Sequence, residues 1–351
     1  MKAKTRVSRV AALALFVVTV AGCSERESGN PARSGAQSAN SGSTKSADTQ
    51  RLGDVEAAIS SSGSPNYSGA CEGISATAGV HYLSLGHDGW ERTYVMTVPD
   101  SASGDSPAHP LLIAMHGYGG SGAGMRSMIQ QSSGFEDSYV VLYPDGAGDD
   151  NGPRGWNSGH PKCCGPALDN NVDDVGFLRD LVNTAAQDAC VDLNRVYATG
   201  FSNGGDMAQR LACDASDLVA AVTSVAGRFD YHSNACPGDW PVPAVLYRGQ
   251  LDRTVPYEGD ILSLVALKTI PAIEGFERIA RNHRCLASPV SAKLTEDTSC
   301  RRFDDCVAGF ELTLCTTADA GHCWPGIGNC SQGGSQVFSA SDHMQEFFAK
   351  H

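Results

Sequence analysis

The sequence has few basic residues, and they are clustered only at its extreme N-terminus. It holds 26 lysines and arginines against 39 aspartates and glutamates, which gives a net charge of −13. Proteins that bind nucleic acid need clustered basic side chains to neutralise phosphates. We therefore expect no nucleic-acid partner.

Several sequence signatures of cofactor sites are also missing. No G-x-x-x-x-G-K-[ST] motif is present, and no G-x-G-x-x-G lies between a strand and a helix, so no phosphate-binding loop is predicted. No C-x-x-C pair is accompanied by a second such pair or by H-x-x-x-H, which argues against a structural zinc site. We expect that neither a metal nor an organic cofactor is required.

The N-terminus has the features of an export signal. Four basic side chains precede an apolar run at residues 10–20, which is shorter than the roughly 20 residues that a membrane-spanning helix needs. The run ends in Val20-Ala21-Gly22-Cys23, which resembles a bacterial lipobox. We expect a lipoprotein signal peptide at residues 1–22 and lipidation of Cys23. The alternative is an ordinary signal peptide with an incidental Cys23.

The predicted domain organisation follows from a shift in composition. Residues 23–66 are rich in small and polar residues and cannot bury enough apolar surface to fold, so a flexible tether is predicted there. Residues 67–351 suit one folded domain. We expect an exported monomer that is lipid-anchored to the bacterial cell envelope or outer surface, or released as a secreted protein, and that meets a membrane only through its anchor.

The cysteine count agrees with export to an oxidising compartment. Of the 13 cysteines, 12 remain once Cys23 is set aside, which allows up to six disulfides. The spacing and the local turn residues favour four pairs, which are Cys323–Cys330, Cys300–Cys315, Cys285–Cys306 and Cys213–Cys236.

Apolar runs of strand length alternate with helical patterns along the folded part. Strands are predicted at residues 92–98, 111–115, 140–143, 195–199, 218–225, 244–247 and 311–315. Helices are predicted at residues 172–187, 271–284 and 341–350. This alternation predicts an α/β fold, with a mostly parallel central sheet and helices on both faces.

The stretch "ATGFSNGG" places Gly200-x-Ser202-x-Gly204 directly after a predicted strand and before a helical pattern. This is the nucleophile-elbow motif, in which the strand and the helix approach too closely for a β-carbon at either glycine. Ser202 is therefore the candidate nucleophile. The alternative is a glycine-rich turn with a bystander serine.

A serine nucleophile needs a base and an acid, which in this architecture follow it in the chain. His322 lies in the loop "GHCWPG" after a predicted strand, and Asp252 lies in a turn after another. They are the candidate base and acid. The competing residues are His343 on a helical pattern, where we expect it to be solvated, and the loop carboxylates Asp230 and Asp260.

Two further groups of residues are candidates for the site. The loop after the strand "LLIAM" predicts the Tyr118 N–H as one oxyanion donor, with Gly119 as the alternative, and the Asn203 N–H as the other. Trp156 and Trp324 lie in loops where they line an acyl pocket or else close the core. Asp173 and Asp174 precede a helix, where capping is favoured over metal or acid chemistry.

These motifs together resemble a known family. The segments "MHGYGGSG", "YPDG", "GWNS", "CCG", "VDDVGFLRDLV", "LDRTVPY" and "GHCWPG" are similar to those of bacterial extracellular polyhydroxybutyrate depolymerases and feruloyl or acetylxylan esterases. The resemblance covers roughly residues 71–351. It implies an α/β-hydrolase fold, an acyl-enzyme mechanism and the roles of nucleophile, acid and base for Ser202, Asp252 and His322. The chain departs from the family at Cys323 and at Arg248-Gly249-Gln250.

The expected function is therefore hydrolysis of carboxylic esters by an extracellular serine esterase. The ester is a polyhydroxyalkanoate or a feruloyl or acetyl ester of plant polysaccharide. Two alternatives stay open at this point. One is an acyltransferase with the same triad, and the other is a catalytically inactive surface binding lipoprotein.

Overall fold

The computed structural model describes residues 77–101, 107–148, 152–161, 163–229, 242–259, 261–262, 267–285, 287–328, 330, 332–335 and 337–351. All of them belong to the second of the two units, Met1–Ser62 and Gly63–His351, into which the chain divides. The predicted signal peptide, Cys23 and the tether lie outside the described residues.

Most of the described strands belong to one large sheet. The strands are β1 (Gly79–His87), β2 (Trp90–Val98), β3 (His109–Met115), β4 (Val140–Pro144), β5 (Val191–Gly200), β6 (Ala221–Val225), β7 (Ala244–Gly249), β8 (Ile261–Leu262), β9 (Leu267–Lys268), β10 (Val290–Lys293), β11 (Thr298–Phe303) and β12 (Leu312–Thr317). Ten of them form the sheet, in the order β1-β2-β4-β3-β5-β6-β7-β12-β11-β10. Strands β8 and β9 form a separate two-stranded sheet.

The centre of the sheet is parallel and its two margins are antiparallel. Strands β4, β3, β5, β6, β7 and β12 run in one direction. Strands β1, β2, β11 and β10 pair antiparallel at the two sides. The central strands β4, β6 and β7 are buried throughout, whereas edge strand β1 alternates between half-buried and exposed residues. Continuous apolar runs are what a parallel sheet covered on both faces requires.

Helices cover both faces of this sheet. They are α1 (Gly122–Gln130), α2 (Phe135–Ser138), α3 (Gly165–Asp169), α4 (Asp174–Asp188), α5 (Asn203–Asp214), α6 (Ala272–Asn282) and α7 (Ala340–Phe348), with a 3₁₀ turn at Val307–Gly309. One core cluster joins the sheet to α4, α5 and α6 through residues such as Phe177, Met207 and Phe276. The other joins it to α1, α2 and α7, where Ile129 and Phe348 are fully buried.

The predicted fold class is confirmed. Each predicted strand and helix is present, and its ends differ from the prediction by at most four residues. Strand β1 and helix α1 are among the elements that were not predicted, because neither has a strong apolar pattern. Among the described residues, none of the helices is long and apolar enough to cross a bilayer.

Three of the four predicted cysteine pairs are joined in the structure, namely Cys285–Cys306, Cys300–Cys315 and Cys323–Cys330. Cys300 and Cys315 stand directly opposite each other in the β11–β12 hairpin. Of the fourth pair, Cys213 is disulfide-bonded and Cys236 lies outside the described residues. The adjacent Cys163 and Cys164 are also joined, which the sequence analysis left open.

The sheet topology brings the candidate site residues to one edge. The parallel part of the sheet includes β3, β5, β7 and β12. The carboxyl ends of these four strands therefore lie at the same edge. The loops that follow these four strands carry Tyr118, Ser202, Asp252 and His322. Ligands of open α/β sheets bind at this edge.

Candidate active site

Ser202 lies in a sharp turn between β5 and α5. Its backbone has φ 54° and ψ −120°, a combination in the left-handed region that side chains other than glycine rarely adopt. A β-carbon on Gly200 would lie 2.2 Å from the Gly204 carbonyl oxygen, and one on Gly204 would lie 2.3 Å from that of Met115. The two glycines of the motif are thus required by close backbone contact, as the sequence predicted.

Backbone hydrogen bonds hold this turn in place. The Ser202 N–H donates to the Val225 carbonyl at 2.8 Å, and the Asp206 N–H donates to the Ser202 carbonyl at 3.0 Å. The first of these bonds ties the turn to the end of β6, and the second begins α5. The Asn203 N–H is at the first helical position, where a helix offers it no acceptor.

His322 and Asp252 form a buried pair at the same edge of the sheet. The Asp252 Oδ2 lies 2.8 Å from the His322 Nδ1, and the carboxylate side chain is completely buried while the imidazole is 12% exposed. The other oxygen of Asp252 accepts the N–H groups of Thr254 at 2.8 Å and Val255 at 2.7 Å. Because three donors fix the carboxylate, it holds the imidazole in one orientation and leaves its Nε2 available.

The base candidate lies beside the turn that carries Ser202. The ring centroids of His322 and Phe201 are 4.9 Å apart, and Phe201 directly precedes the serine. Ser202, Asp252 and His322 are therefore brought to one small region from three loops that are distant in sequence.

The loop after β3 packs against Ser202. A β-carbon on Gly117 would lie 3.2 Å from the Ser202 Cβ, so this loop passes directly over the serine. The Gly119 N–H, the alternative oxyanion donor, donates to the Arg154 carbonyl at 2.7 Å. The Tyr118 ring is 47% exposed and packs on Gly165, where a β-carbon would lie 2.7 Å from its Cε2. This loop therefore presents an aromatic side chain at the rim of the site.

The prediction that Trp156 and Trp324 contact the substrate is wrong in this structure. Trp156 is fully buried, and Trp324 is only 2% exposed. The indole N–H of Trp324 donates to the Ser341 Oγ at 2.9 Å, under helix α7. Both side chains close the core, which was the alternative interpretation, because neither ring has a face open to a ligand.

Three other histidines, among them the competing His343, are engaged with other groups. His343 was expected to be solvated, but its Nδ1 lies 2.8 Å from the Tyr247 Oη and its side chain is half-buried. Burial, together with the charge of Arg228, lowers the pKa of His160 to about 4. His116 accepts the Gly146 N–H on its Nε2 at 2.9 Å, and burial lowers its pKa. The competing carboxylates Asp230 and Asp260 lie outside the described residues.

The two aspartates before α4 have different roles. Asp173 caps the helix by accepting the Gly176 N–H at 2.9 Å, as the favoured interpretation predicts. Asp174 does not cap the helix. It is fully buried and forms an ion pair with Arg92. No group of three metal-ligating side chains is found among the residues that the structure describes.

The sequence analysis did not identify several residues that support the site. Asp206, four residues after Ser202 on the same helix face, forms a buried ion pair with Arg228. The buried Arg248 donates to the carbonyls of Gly227 and Val255, both at 2.6 Å, and so braces the acid loop. The side-chain oxygen of Gln332 accepts the Arg253 N–H at 3.0 Å and lies 3.5 Å from the His322 N. Only Arg248 had a sequence signal, since it was noted as a departure from the family.

The fold is similar to that of a known esterase. Acetyl xylan esterase from Aspergillus awamori matches 78% of this chain and 100% of its own, with a TM-score of 0.55 at 15% sequence identity. The chain has the α/β-hydrolase fold. No family model matches its sequence.

The sequence is similar to those of proteins named as esterases. Feruloyl esterase B of Piromyces equi is 33% identical over 242 residues, which are 66% of this chain and 42% of the relative, so the chain matches less than half of that protein. The putative esterase NocK of Nocardia uniformis subsp. tsuyamanensis is 29% identical over 261 residues, 68% of this chain and 72% of the relative. The predicted resemblance to feruloyl esterases is confirmed in sequence, and the likeness to an acetyl xylan esterase is one of fold.

Proposed function

We propose that the α/β-hydrolase described here is a serine esterase that hydrolyses carboxylic esters. The observation that carries the proposal is the buried 2.8 Å contact between Asp252 and His322 beside the strained turn of Ser202. Nucleophile, acid and base in this chain order on this fold are the arrangement of a catalytic triad. The relatives named feruloyl esterase and esterase support the same class of reaction.

The first half-reaction acylates the serine. His322 Nε2 accepts the proton of Ser202 as Oγ attacks the ester carbonyl, and the imidazolium that forms is stabilised by Asp252. The same proton then passes to the leaving alcohol as the carbon–oxygen bond of the ester breaks. Asp252 accepts three hydrogen bonds, so it fixes the tautomer in which Nδ1 keeps its hydrogen.

Two backbone N–H groups stabilise the oxyanion in this proposal. They belong to Asn203, at the N-terminus of α5, and Tyr118, in the loop that passes over Ser202. The positive end of the helix dipole adds to the stabilisation. The Gly119 N–H already donates to Arg154, which favours Tyr118 over Gly119 as the second donor.

Water completes the reaction. His322 removes a proton from the water as it attacks the acyl-serine, and Ser202 is released with that proton returned to Oγ. Replacement of water by a sugar or lipid hydroxyl would make the protein an acyltransferase with the same residues. Neither route requires a metal or an organic cofactor.

We also propose that the protein is exported and anchored by lipid on Cys23. The lipobox-like sequence and the disulfides among the described residues support this proposal. A single acyl chain binds a membrane only marginally, so a lipoprotein anchor of several chains is the stable form. Cys23→Ser should move the protein from the membrane fraction to the soluble fraction without a change in specific activity. Retention in the membrane at wild-type levels would contradict the anchor.

A panel of esters tests the proposed activity and identifies the preferred acyl group. The wild type and Ser202→Ala are compared on p-nitrophenyl acetate, p-nitrophenyl butyrate, methyl ferulate, acetylated xylan and hydroxybutyrate oligomers. We expect hydrolysis of at least one ester by the wild type and a loss of several orders of magnitude in Ser202→Ala. Transfer of the acyl group to an added alcohol in preference to water would favour the acyltransferase. No turnover of any ester would favour a binding protein.

A further inference from the structure

Trp156 joins the two chain segments that carry the proposed oxyanion donors. Its indole N–H donates to the His116 carbonyl at 2.9 Å, two residues before Tyr118. Its backbone N–H donates to the Asn203 Oδ1 at 2.8 Å, and the Asn203 Nδ2 donates back to the Trp156 carbonyl at 3.1 Å. One buried residue is thus bonded to both sides of the site.

We propose that Trp156 is a positioning residue that fixes the spacing between the Tyr118 and Asn203 N–H groups. The proposal rests on the proposed esterase function, because the spacing matters only if these groups bind an oxyanion. The hydrogen bond of the indole fixes the position of the loop after β3. The two bonds with the Asn203 side chain fix the position of the first turn of α5. The residue is therefore neither a substrate contact nor a mere filler of the core.

The segment that contains Trp156 is also hydrogen-bonded to the start of helix α4 and the residues before it. The Asn157 N–H donates to the Asp174 Oδ2 at 2.7 Å, and its side-chain amide donates to the Val172 carbonyl at 3.0 Å. Asp174 is fully buried and paired with Arg92, whose guanidinium lies 3.7 Å above the Phe177 ring. Helix α4 and strand β2 thereby anchor the segment, so it cannot simply follow a shift of either donor.

The chain is closely packed at Gly155, directly before Trp156. A β-carbon on Gly155 would lie 3.0 Å from the Tyr118 Cδ2 and 3.2 Å from the Asn203 Oδ1. A side chain on the residue before Trp156 would therefore press against both donor residues. The indole ring packs at a tilt of 46° against the His116 imidazole, with ring centroids 5.3 Å apart.

Catalysis is sensitive to this spacing, because an oxyanion hole works only where its donors meet the developing charge. Loss of a single donor typically lowers kcat by about 10²–10³-fold. A shift of about 1 Å costs up to about 10²-fold. Trp156→Phe keeps an aromatic ring but removes the bond to the His116 carbonyl, so it should loosen the spacing without removing a donor.

The test measures ester hydrolysis together with the affinity for a trifluoromethyl ketone, which forms a tetrahedral adduct on a reactive serine. For Trp156→Phe we expect kcat to fall about 10- to 100-fold while KM changes by less than about threefold. The inhibition constant of the ketone should rise by the same factor, because the adduct carries the same oxyanion.

Tyr143→Phe is the matched control. Tyr143 is fully buried, and its hydroxyl makes one hydrogen bond of 3.0 Å to Glu136. It packs in the core cluster of helices α1 and α2, on the other face of the sheet from Trp156. It should lose stability but keep both its kcat and its affinity for the ketone.

A second variant keeps the proposal testable if Trp156→Phe does not fold. Asn203→Ala retains the backbone donor but removes both bonds to Trp156, so it should show the same pattern. If both side chains act by fixing the same spacing, the double variant Trp156→Phe/Asn203→Ala should lose little more kcat than the more damaging single variant. Additive losses in kcat would contradict the proposal.

The outcomes separate this proposal from the esterase proposal. A wild type that neither hydrolyses esters nor binds the ketone would refute the esterase function and with it the positioning role. An active wild type with a Trp156→Phe variant that keeps its kcat, or that loses kcat but keeps its affinity for the ketone, would refute the positioning role alone.

Discussion

The two sides of the candidate site are built by different means. On the nucleophile side, which comprises residues 116–118, 156 and 200–206, glycines in close backbone contact and buried hydrogen bonds hold the chain. On the base side, which comprises residues 249–255, 320–324 and 330–335 where described, the Cys323–Cys330 disulfide and the Gln332 side chain tie separate loops together. The first side is held by close packing and hydrogen bonds alone. The second is also closely packed, since a β-carbon on Gly249 would lie 2.2 Å from the Ala320 carbonyl oxygen, but it has a covalent cross-link in addition.

This difference has a consequence for how each side tolerates change. Close backbone packing is lost when a single atom is added, since the strand and the helix cannot both stay in place. A cross-link can be removed without a clash, so its loss should loosen the loop rather than break the fold. The following predictions, from the largest effect to the smallest, use this contrast.

The largest effect is expected from Asp252→Asn on the base side. The amide can donate a hydrogen bond to the His322 Nδ1 and so stabilise the wrong tautomer of the imidazole. The value of kcat should therefore fall by about 10⁴-fold. Steady-state kinetics with the best ester of the panel would measure this. The exposed Asp319→Asn, in the same set of loops, is the control and should retain wild-type activity.

Near-full activity in Asp252→Asn, with His322 still essential, would show that the acid lies elsewhere. The carboxylate of Asp260 would then be the next candidate to substitute. Such a result would also leave the bonds from Thr254 and Val255 to Asp252 as a purely structural feature.

The next effect is expected from Gly204→Ala on the nucleophile side. Its new methyl group would lie 2.3 Å from the Met115 carbonyl oxygen and 2.5 Å from that of His116. Since backbone must move, we expect the loss of at least about 3 kcal/mol of unfolding free energy and of most activity. Urea denaturation and kinetics would measure both quantities.

Gly124→Ala is the control for that substitution. Gly124 is exposed in helix α1, and a β-carbon there meets only the Ser121 Oγ, at 3.3 Å. Alanine is favoured over glycine within a helix by about 1 kcal/mol, so this variant should be as stable as the wild type or more so. Equal stability of the two variants would mean that the turn is not as tightly packed as described.

A smaller effect is expected when the base-side cross-link is removed. The double variant Cys323→Ser/Cys330→Ser should lose about 2–3 kcal/mol of stability, because the bridge spans only seven residues. We expect kcat to fall by about tenfold as the loop of His322 loosens. Thermal unfolding and kinetics on the same samples would show both changes.

Cys285→Ser/Cys306→Ser is the matched control, since this bridge closes a longer loop of 21 residues between the end of α6 and the 3₁₀ turn. It should cost about 3–4 kcal/mol of stability and leave kcat unchanged. If both double variants lose kcat equally, the disulfide beside His322 has no special link to catalysis.

The local nature of the nucleophile side explains why its sequence could be interpreted directly. Gly200, Ser202 and Gly204 lie within five residues, and the motif fixes their geometry by contacts between neighbours in the chain. The positions of Asp252 and His322 were inferred from the strands that precede them. The roles of Gln332 and Arg248 could not be predicted, because their partners are set by packing between loops that are distant in sequence.

Trp156 and Trp324 illustrate the same limit. An aromatic residue in a loop beside the sheet edge has the same sequence signal whether it faces a ligand or the core. Burial decides between the two, and burial depends on elements such as α7, which packs over Trp324 through Ser341, 17 residues further along the chain. The unpredicted strand β1 likewise depends on its pairing with β2 rather than on its own apolar pattern.

The smallest effect is expected at His87, which belongs to neither side of the site. Burial alone would lower the pKa of His87, but its contacts with Asp180 at 2.7 Å and Asp173 at 3.3 Å outweigh burial and raise it. A raised pKa in the folded state stabilises the fold below the ordinary pKa of about 6.5, and this contribution is lost as the pH rises through the folded-state value.

Urea denaturation of the wild type and His87→Gln measures this contribution. The wild type should be the more stable at pH 5.5, and the gap should narrow at pH 8.5, while kcat at a fixed pH stays the same in both. A gap that widens with pH would mean that His87 stabilises the β1–β2 hairpin in its neutral form.

The most direct test of the central claim is to locate the covalent adduct of a fluorophosphonate probe by peptide mass spectrometry. The wild type should be modified at Ser202, in the peptide that contains "GFSNGG", and His322→Ala should be modified far more slowly because the serine has lost its base. Wild-type protein that stays unmodified, or that carries the probe on a different serine, would contradict the assignment of Ser202 as the nucleophile.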